Sequence, residues 1–190
     1  MITYNICFIK QGLNVLLLNR ESPSWMGCWN GVGGKVEQGE SPRRSMVREI
    51  MEETRLAESE YQLTYRGLVS WLVDHERFGG MYLYSAELSG HIDYSTPIKT
   101  EEGILDWKSI EWIMNPKNQG IASSIPLIMN HLNEELTYHH HCTYIEGKLV
   151  DTLSEPIAAK TENIEQMNEY WQLFRENQAG DRQLAPSVVP

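Results

Sequence analysis

The chain has 190 residues, an apolar fraction of 41% and a formal net charge of −10, enough for one domain with its own core and a short appendage. No apolar run approaches the roughly 20 residues of a bilayer-spanning helix, and so acidic a surface opposes nonspecific binding to DNA or RNA. Cys7, Cys28 and Cys142 are too scattered for a disulfide framework, and the segment Met1 to Ile6 lacks the basic region of a secretory signal; the expectation is a cytoplasmic protein with reduced thiols, no membrane attachment and no stable nucleic-acid partner.

The apolar segment Tyr4 to Ile9 and Val15 to Leu18 flank the turn signal Gln11-Gly12-Leu13-Asn14, which predicts an opening hairpin. From Arg20 to Gly34 the chain is loop-like and punctuated by glycine. Ser41-Pro42 then supplies an N-cap with proline at the first helical position, and the absence of proline and glycine through Thr54 predicts a helix. Gln62 to Val73 and Gly80 to Glu87 read as strands, as does Ile104 to Trp107, while Ile121 to Leu136 reads as a helix. His140 to Ile145 and Leu149 to Leu153 flank Glu146-Gly147-Lys148 and predict a terminal hairpin. Ala159 to Asn177 has helical spacing of Ile164, Met167, Tyr170, Trp171 and Phe174. Strands mixed with helices indicate an α/β or α+β domain over residues 1–156, followed by an accessory helix and tail over 157–190. The apolar stripe of that last helix must be buried on its own domain or on a second copy, which leaves a homodimer open.

Glu49, Glu52 and Glu53 stand at i, i+3 and i+4 on the Ser41–Thr54 helix, so three carboxylates project from one face. They lie near the C-terminal end, where the helix dipole already disfavours negative charge. Hard divalent cations such as Mg2+ or Mn2+ take oxygen ligands and bridge carboxylates to phosphates, which gives the cluster a purpose. The competing reading is a solvated acidic face balanced by Arg43, Arg44 and Arg48. The run His139-His140-His141 is not read as a metal site, because consecutive strand residues alternate faces.

Gly34, Glu40, Arg48, Glu49, Ile50, Glu52, Glu53 and Leu56 fall at the positions of the Nudix signature, so the segment resembles the Nudix hydrolase family. The single departure is Arg55, where the signature has glycine. The resemblance implies an α/β/α sandwich with a mixed sheet and a loop–helix–loop signature. It implies metal ligation by the Gly33 carbonyl, Glu49, Glu52 and Glu53, bracing of the helix by Glu40 and Arg48, and a phosphate contact from Lys35. Water would attack a phosphorus of a diphosphate linkage with Glu53 or Glu52 as base, and Glu102, on a loop after the central strands, would complete metal binding or serve as base. The stretch Gly27 to Val36 and the closing strand pair look like the branch that hydrolyses oxidised purine nucleoside triphosphates such as 8-oxo-dGTP. In that branch the residue at Asn30 touches the purine. Asn118 is the candidate for base reading, because the aspartate pair of mammalian members is missing from Asn115 to Ala122. ADP-ribose, nucleotide sugars or another organic pyrophosphate are the alternative substrates, and a nucleotide-sensing module without turnover is the non-enzymatic alternative.

Overall fold

The computed structural model describes residues 1–184. The strands are β1 (Tyr4–Gln11), β2 (Asn14–Arg20), β3 (Trp29–Asn30), β4 (Tyr61–Val73), β5 (Arg77–Leu88), β6 (Ile98–Lys99), β7 (Gly103–Ser109), β8 (Thr137–Ile145) and β9 (Lys148–Ile157). They form one sheet in the order β6-β7-β2-β1-β5-β4-β8-β9, with β3 beside β2. The β1–β5 and β4–β8 pairs are parallel and the others antiparallel, so the sheet is mixed.

Central strands are covered on both faces, which is why β1 and β2 read as apolar runs rather than as alternating patterns. Cys7, Ile9, Leu16 and Leu18 point into one cluster with Met46 and Ile50 of helix α1 (Pro42–Thr54) and Met167, Trp171 and Phe174 of helix α4 (Ile164–Leu184). Ile6, Phe8, Val15 and Leu17 point the other way, against Ile113 of α2 (Ile110–Ile113) and Ile125, Ile128 and Met129 of α3 (Ile125–Met129). The result is the expected α/β/α sandwich.

Two expected elements differ. The helix expected over Ile121 to Leu136 is confined to Ile125–Met129, and turns occupy residues 130–136. Ile121 is drawn out of any helix by a bridge to Trp29, whose N–H donates to the Gly120 carbonyl at 2.8 Å and whose carbonyl accepts from Ala122 at 3.1 Å. The segment expected as one helix from Ala159 begins as a 3-10 turn over Ala159–Glu162 and restarts as α4 at Ile164. Asn163 marks the break, its side-chain oxygen accepting from the N–H groups of Glu165 at 2.9 Å and Gln166 at 3.3 Å.

The histidine run alternates as expected. His139 and His141 pack on the α4 side, and both rings hydrogen-bond the buried Ser70 hydroxyl, at 2.6 and 2.7 Å. His139 also meets Tyr170 Oη at 2.7 Å and the Phe174 ring at 4.3 Å. His140 faces the opposite layer, its ring 5.5 Å from that of His131. Among the described residues no helix is long and apolar enough to cross a membrane.

Candidate active site

Helix α1 positions the carboxylates. Ser41 caps its N-terminus by accepting from the Arg44 N–H at 3.3 Å, and Met46 and Ile50 bury one face. The helix ends at Arg55 in the left-handed conformation, φ 64° and ψ 9°, whose N–H donates to the Met51 carbonyl. A side chain in that conformation costs on the order of 1 kcal/mol relative to glycine.

Ahead of the helix, a loop brings two glycines against it. A Cβ on Gly33 would lie 2.5 Å from the Asn5 carbonyl oxygen, and one on Gly34 would lie 2.5 Å from Glu49 Oε1. Both distances are below van der Waals contact; at Gly33 the clash is with backbone and only glycine fits, whereas at Gly34 it is with the end of the Glu49 side chain, which would have to move. The buried Asn5 holds this loop: its amide donates to Ser45 Oγ at 2.9 Å and accepts from the Gly34 N–H at 3.1 Å.

Arg48 braces the arrangement. Its guanidinium meets Glu40 at 3.0 Å, the Lys35 carbonyl at 3.0 Å, Glu49 at 2.9 Å and Glu52 at 3.0 Å. The hydrogen bond from Arg48 holds the Glu40 carboxyl below the usual range. Burial pushes Glu49 upward, against the opposing pull of Arg48.

Glu53 is the most deeply placed carboxylate. Its Oε1 accepts from the Gly33 N–H at 3.2 Å, while its Oε2 is buried without a hydrogen-bond partner. Burial pushes its pKa up to about 8, the Gly33 N–H opposes this, and nearby Glu102 and Glu49 add to it. An isolated buried carboxylate oxygen is costly unless a cation or donor meets it.

Two clefts meet at Glu102, in the turn between β6 and β7. One, of about 860 Å3, is bounded by Glu49, Glu52, Glu53, Glu101, Arg55 and Lys99. The other, of about 760 Å3, lies over the α3 face of the sheet and is walled by Asn30, Trp25, Trp71, Met81, Ile128 and Tyr144. Its size is that of a small-molecule site. The loop after β2 closes it from above. Gly27 N–H donates to the Arg20 carbonyl at 2.8 Å and Arg20 N–H to the Cys28 carbonyl at 3.2 Å. This carries the Trp25 ring edge-on to Tyr144, centroids 6.0 Å apart.

The structure therefore brings together Gly33, Gly34, Glu40, Arg48, Glu49, Glu52, Glu53 and Glu102, with Asn30 in the adjoining cleft. It does not bring in Lys35 or Asn118. The Lys35 side chain is exposed outside both clefts, and only its carbonyl serves, toward Arg48. Both ends of the Asn118 amide are engaged within its loop, donating to the Trp112 carbonyl at 2.9 Å and accepting from Gly120 N–H at 3.0 Å.

Two contributors escape the sequence reading. Arg20 ends β2 in the wall of the second cleft, and its charge acts on Glu53. Asn5 carried a signal, a polar residue inside an apolar strand, but its partner Ser45 lies 40 residues away.

Among the described residues no three His, Cys, Asp or Glu side chains already converge as a ligand set. The geometry explains this: like charges repel, and Arg48 draws Glu49 and Glu52 toward itself. The donors nonetheless fit a hard divalent cation, being all oxygen, with the unpartnered Glu53 Oε2 facing no competing donor.

An α/β/α sandwich with a two-glycine loop and a carboxylate-bearing helix at the lip of a cleft defines the class of Nudix-fold proteins. The chain belongs to the Nudix family: residues 3–125 match the family described as NUDIX domain. Hydrolases of this family generally require divalent cations.

The chain is 29% identical over 110 residues to the uncharacterized Nudix hydrolase YvcI of Bacillus subtilis, an alignment covering 57% of this chain and 66% of that one. It is 30% identical over 111 residues to the mouse oxidized purine nucleoside triphosphate hydrolase, covering 58% and 67%. The chain thus spans about two thirds of the length of these relatives. Among solved structures, the MutT protein of Bacillus halodurans superposes with a TM-score of 0.63 at 23% identity, covering 80% of this chain and 96% of that one. The Nudix domain of Shewanella oneidensis NrtR, solved with ADP-ribose, does so with a TM-score of 0.54 at 18% identity, covering 68% and 84%. At these identities the structural likeness carries the fold alone.

Proposed function

We propose that the protein is a metal-dependent pyrophosphohydrolase that splits nucleoside triphosphates into monophosphate and pyrophosphate, with oxidised purine nucleotides such as 8-oxo-dGTP as substrates. The observation that carries the reading is the buried, unpartnered Glu53 Oε2 in a carboxylate-lined cleft that meets a second, small-molecule-sized cleft at Glu102. The family relationship to the mouse enzyme supports the substrate class.

In this reading the Gly33 carbonyl, Glu49, Glu52 and Glu53 hold Mg2+ or Mn2+, which would neutralise phosphate oxygens and ease ionisation of the attacking water. Arg48 and Glu40 fix the helix against the Lys35 carbonyl. Glu53 is better placed than Glu52 to take the proton of the water, because burial raises its affinity for one whereas Glu52 is exposed and held by Arg48. Glu102, in both walls, is the other candidate base. The Asn30 amide both donates and accepts and so can pair with a base edge, while Trp25 and Trp71 offer ring faces for stacking. Lys35 and Asn118, the other two residues expected at the substrate, line neither cleft. Residues 1–156 act as the hydrolase unit, in a cytoplasmic protein, and the helix of the following segment 157–190 completes its core through Met167, Trp171 and Phe174; the tail expected over 185–190 lies outside the described residues.

One observation favours a second reading, hydrolysis of ADP-ribose, a nucleotide sugar or another organic pyrophosphate. Glu102 is the sole carboxylate among the described residues of the second cleft, so its interior has no acidic group to read a purine. Product analysis on 8-oxo-dGTP, ordinary dNTPs, ADP-ribose and sugar nucleotides, with Mg2+ or Mn2+ and beside Glu53→Gln, separates the two. Release of pyrophosphate and a monophosphate, lost in the variant, is the expected result. Turnover of the diphosphate compounds alone selects the second reading, and nucleotide binding without any turnover points to a sensing module.

A further inference from the structure

We propose that Arg55 is a phosphate-binding residue, seated where it grips the terminal phosphates of a nucleoside triphosphate. The proposal rests on the triphosphate reading above and deepens it.

Arg55 occupies the position where the Nudix signature has glycine, and its backbone is left-handed at φ 64°. The turn does not need the side chain, because helix capping there is done by the backbone N–H on the Met51 carbonyl at 2.9 Å. An arginine is therefore held in a conformation that favours glycine, with no side-chain hydrogen bond, ion pair or ring contact among the described residues to account for it. Its exposed side chain lines the carboxylate cleft, yet among the described residues it makes no ion pair and no side-chain hydrogen bond.

Charge in that cleft sharpens the point. Glu49, Glu52, Glu53, Glu101 and Glu102 line it against two cations, Arg55 and Lys99. Lys99 is engaged by Glu21 at 2.5 Å, which leaves Arg55 as the cation without an acidic partner. A nucleoside in the adjoining cleft would send its phosphate chain past Glu102, the residue common to both walls, and along the carboxylates toward Arg55. A guanidinium matches two phosphate oxygens at once.

In the hydrolysis an O–P bond forms from water and the α–β anhydride P–O bond breaks, its electron pair staying on the departing phosphate oxygen. The water proton passes to a carboxylate. Arg55 takes no proton and makes no covalent bond; it pairs with the fragment carrying the two terminal phosphates, in substrate and product alike. It therefore favours triphosphates over diphosphates flanked by sugars on both sides, whose second sugar would occupy its place.

The test uses the full chain with Arg55→Gly, Arg55→Asn, which tolerates the left-handed backbone without charge, and Arg55→Lys. The glycine and asparagine variants are expected to melt at or above the wild-type temperature. They should lose roughly tenfold or more in kcat/KM on triphosphates, and inhibition by inorganic pyrophosphate should weaken by a similar factor. Arg55→Lys should recover part of both. Unchanged kinetics and inhibition in the glycine variant would overturn the proposal, as would activity lost together with melting temperature. If the wild type releases no pyrophosphate from any triphosphate, the parent reading fails separately. Calorimetric binding of pyrophosphate with Mg2+ then decides for Arg55: weaker binding in the glycine variant sustains it, and equal binding overturns it.

Discussion

The Gly33 N–H donates to Glu53 Oε1 at 3.2 Å, while the other oxygen of the same carboxylate is buried with no partner. One half of the group is thus fixed by the backbone and the other is left for something the protein itself does not supply. Glu53→Gln keeps the shape and removes the charge. We expect kcat to fall by roughly 100-fold or more, and the rise in melting temperature that Mg2+ gives the wild type to disappear. Without Mg2+ the variant should melt close to the wild type, because burial pushes the Glu53 pKa up to about 8 and the amide replaces a carboxyl that is already largely uncharged at neutral pH. Thermal melts with and without Mg2+ beside turnover assays check this, and an Mg2+ response retained in full would count against Glu53 as a ligand.

Gly34→Ala separates site from fold. The added Cβ meets the end of the Glu49 side chain, which can move, rather than backbone. Stability should change little, while the Mg2+ concentration for half-maximal activity rises roughly 10-fold or more, the range seen when a ligand's support is disturbed. Gly33→Ala differs in kind, because its Cβ meets the Asn5 carbonyl at 2.5 Å on a backbone of φ 144°. That variant should lose about 2 kcal/mol or more of stability in denaturant titration.

Trp25→Ala tests the wall of the cleft over the α3 face of the sheet. The ring stands edge-on to Tyr144 and takes no part in the carboxylate cluster. KM should rise about 10-fold with kcat little changed, as expected for a stacking surface worth roughly 1–3 kcal/mol. A fall in kcat at constant KM would place Trp25 with the chemistry instead.

Stability should decline in mild acid. Burial, with His141 and His140 adding, lowers His139 to about 3, and burial with His131 lowers His140 to about 4, Glu134 opposing. Both folded values lie below the unfolded value near 6.5, so the unfolded chain binds protons first. The contribution is complete above that pH and is lost as pH falls from about 6.5 toward 4, with a slope approaching about 1.4 kcal/mol per unit for each ring. Urea midpoints at pH 7.5, 6 and 5 measure this. His139→Leu should flatten the slope even if it lowers the midpoint, and an unaltered slope would remove His139 from the account.

The carboxylate helix was legible because its information is local: an N-cap, a proline, and acidic residues at helical spacing all lie between Ser41 and Arg55. The alternation of His139, His140 and His141 was legible for the same reason. The region after Gly120 was not, since Ile121 is fixed by a bridge to Trp29, about 90 residues earlier in the chain, and no pattern within Ile121 to Leu136 reports it. Lys35 was a reasonable phosphate ligand from its place beside the signature, but a strand-like bridge to Tyr4 turns its side chain outward and leaves its carbonyl to Arg48. Arg20 entered the site only because β2 and β7 are neighbours, which sets it near Glu102, a residue the family resemblance had already marked; the Glu21 N–H donates to the Glu102 carbonyl at 3.0 Å.

The position of Glu102 in the walls of both clefts divides the protein for anyone wishing to redesign it. Asn30, Trp25 and Tyr144 belong to one chamber only, so libraries built on them should retune which base is accepted while the rate on accepted compounds survives. Libraries that touch the Thr100–Gly103 turn should never show that separation: every change of preference recovered there should arrive with a change of metal requirement.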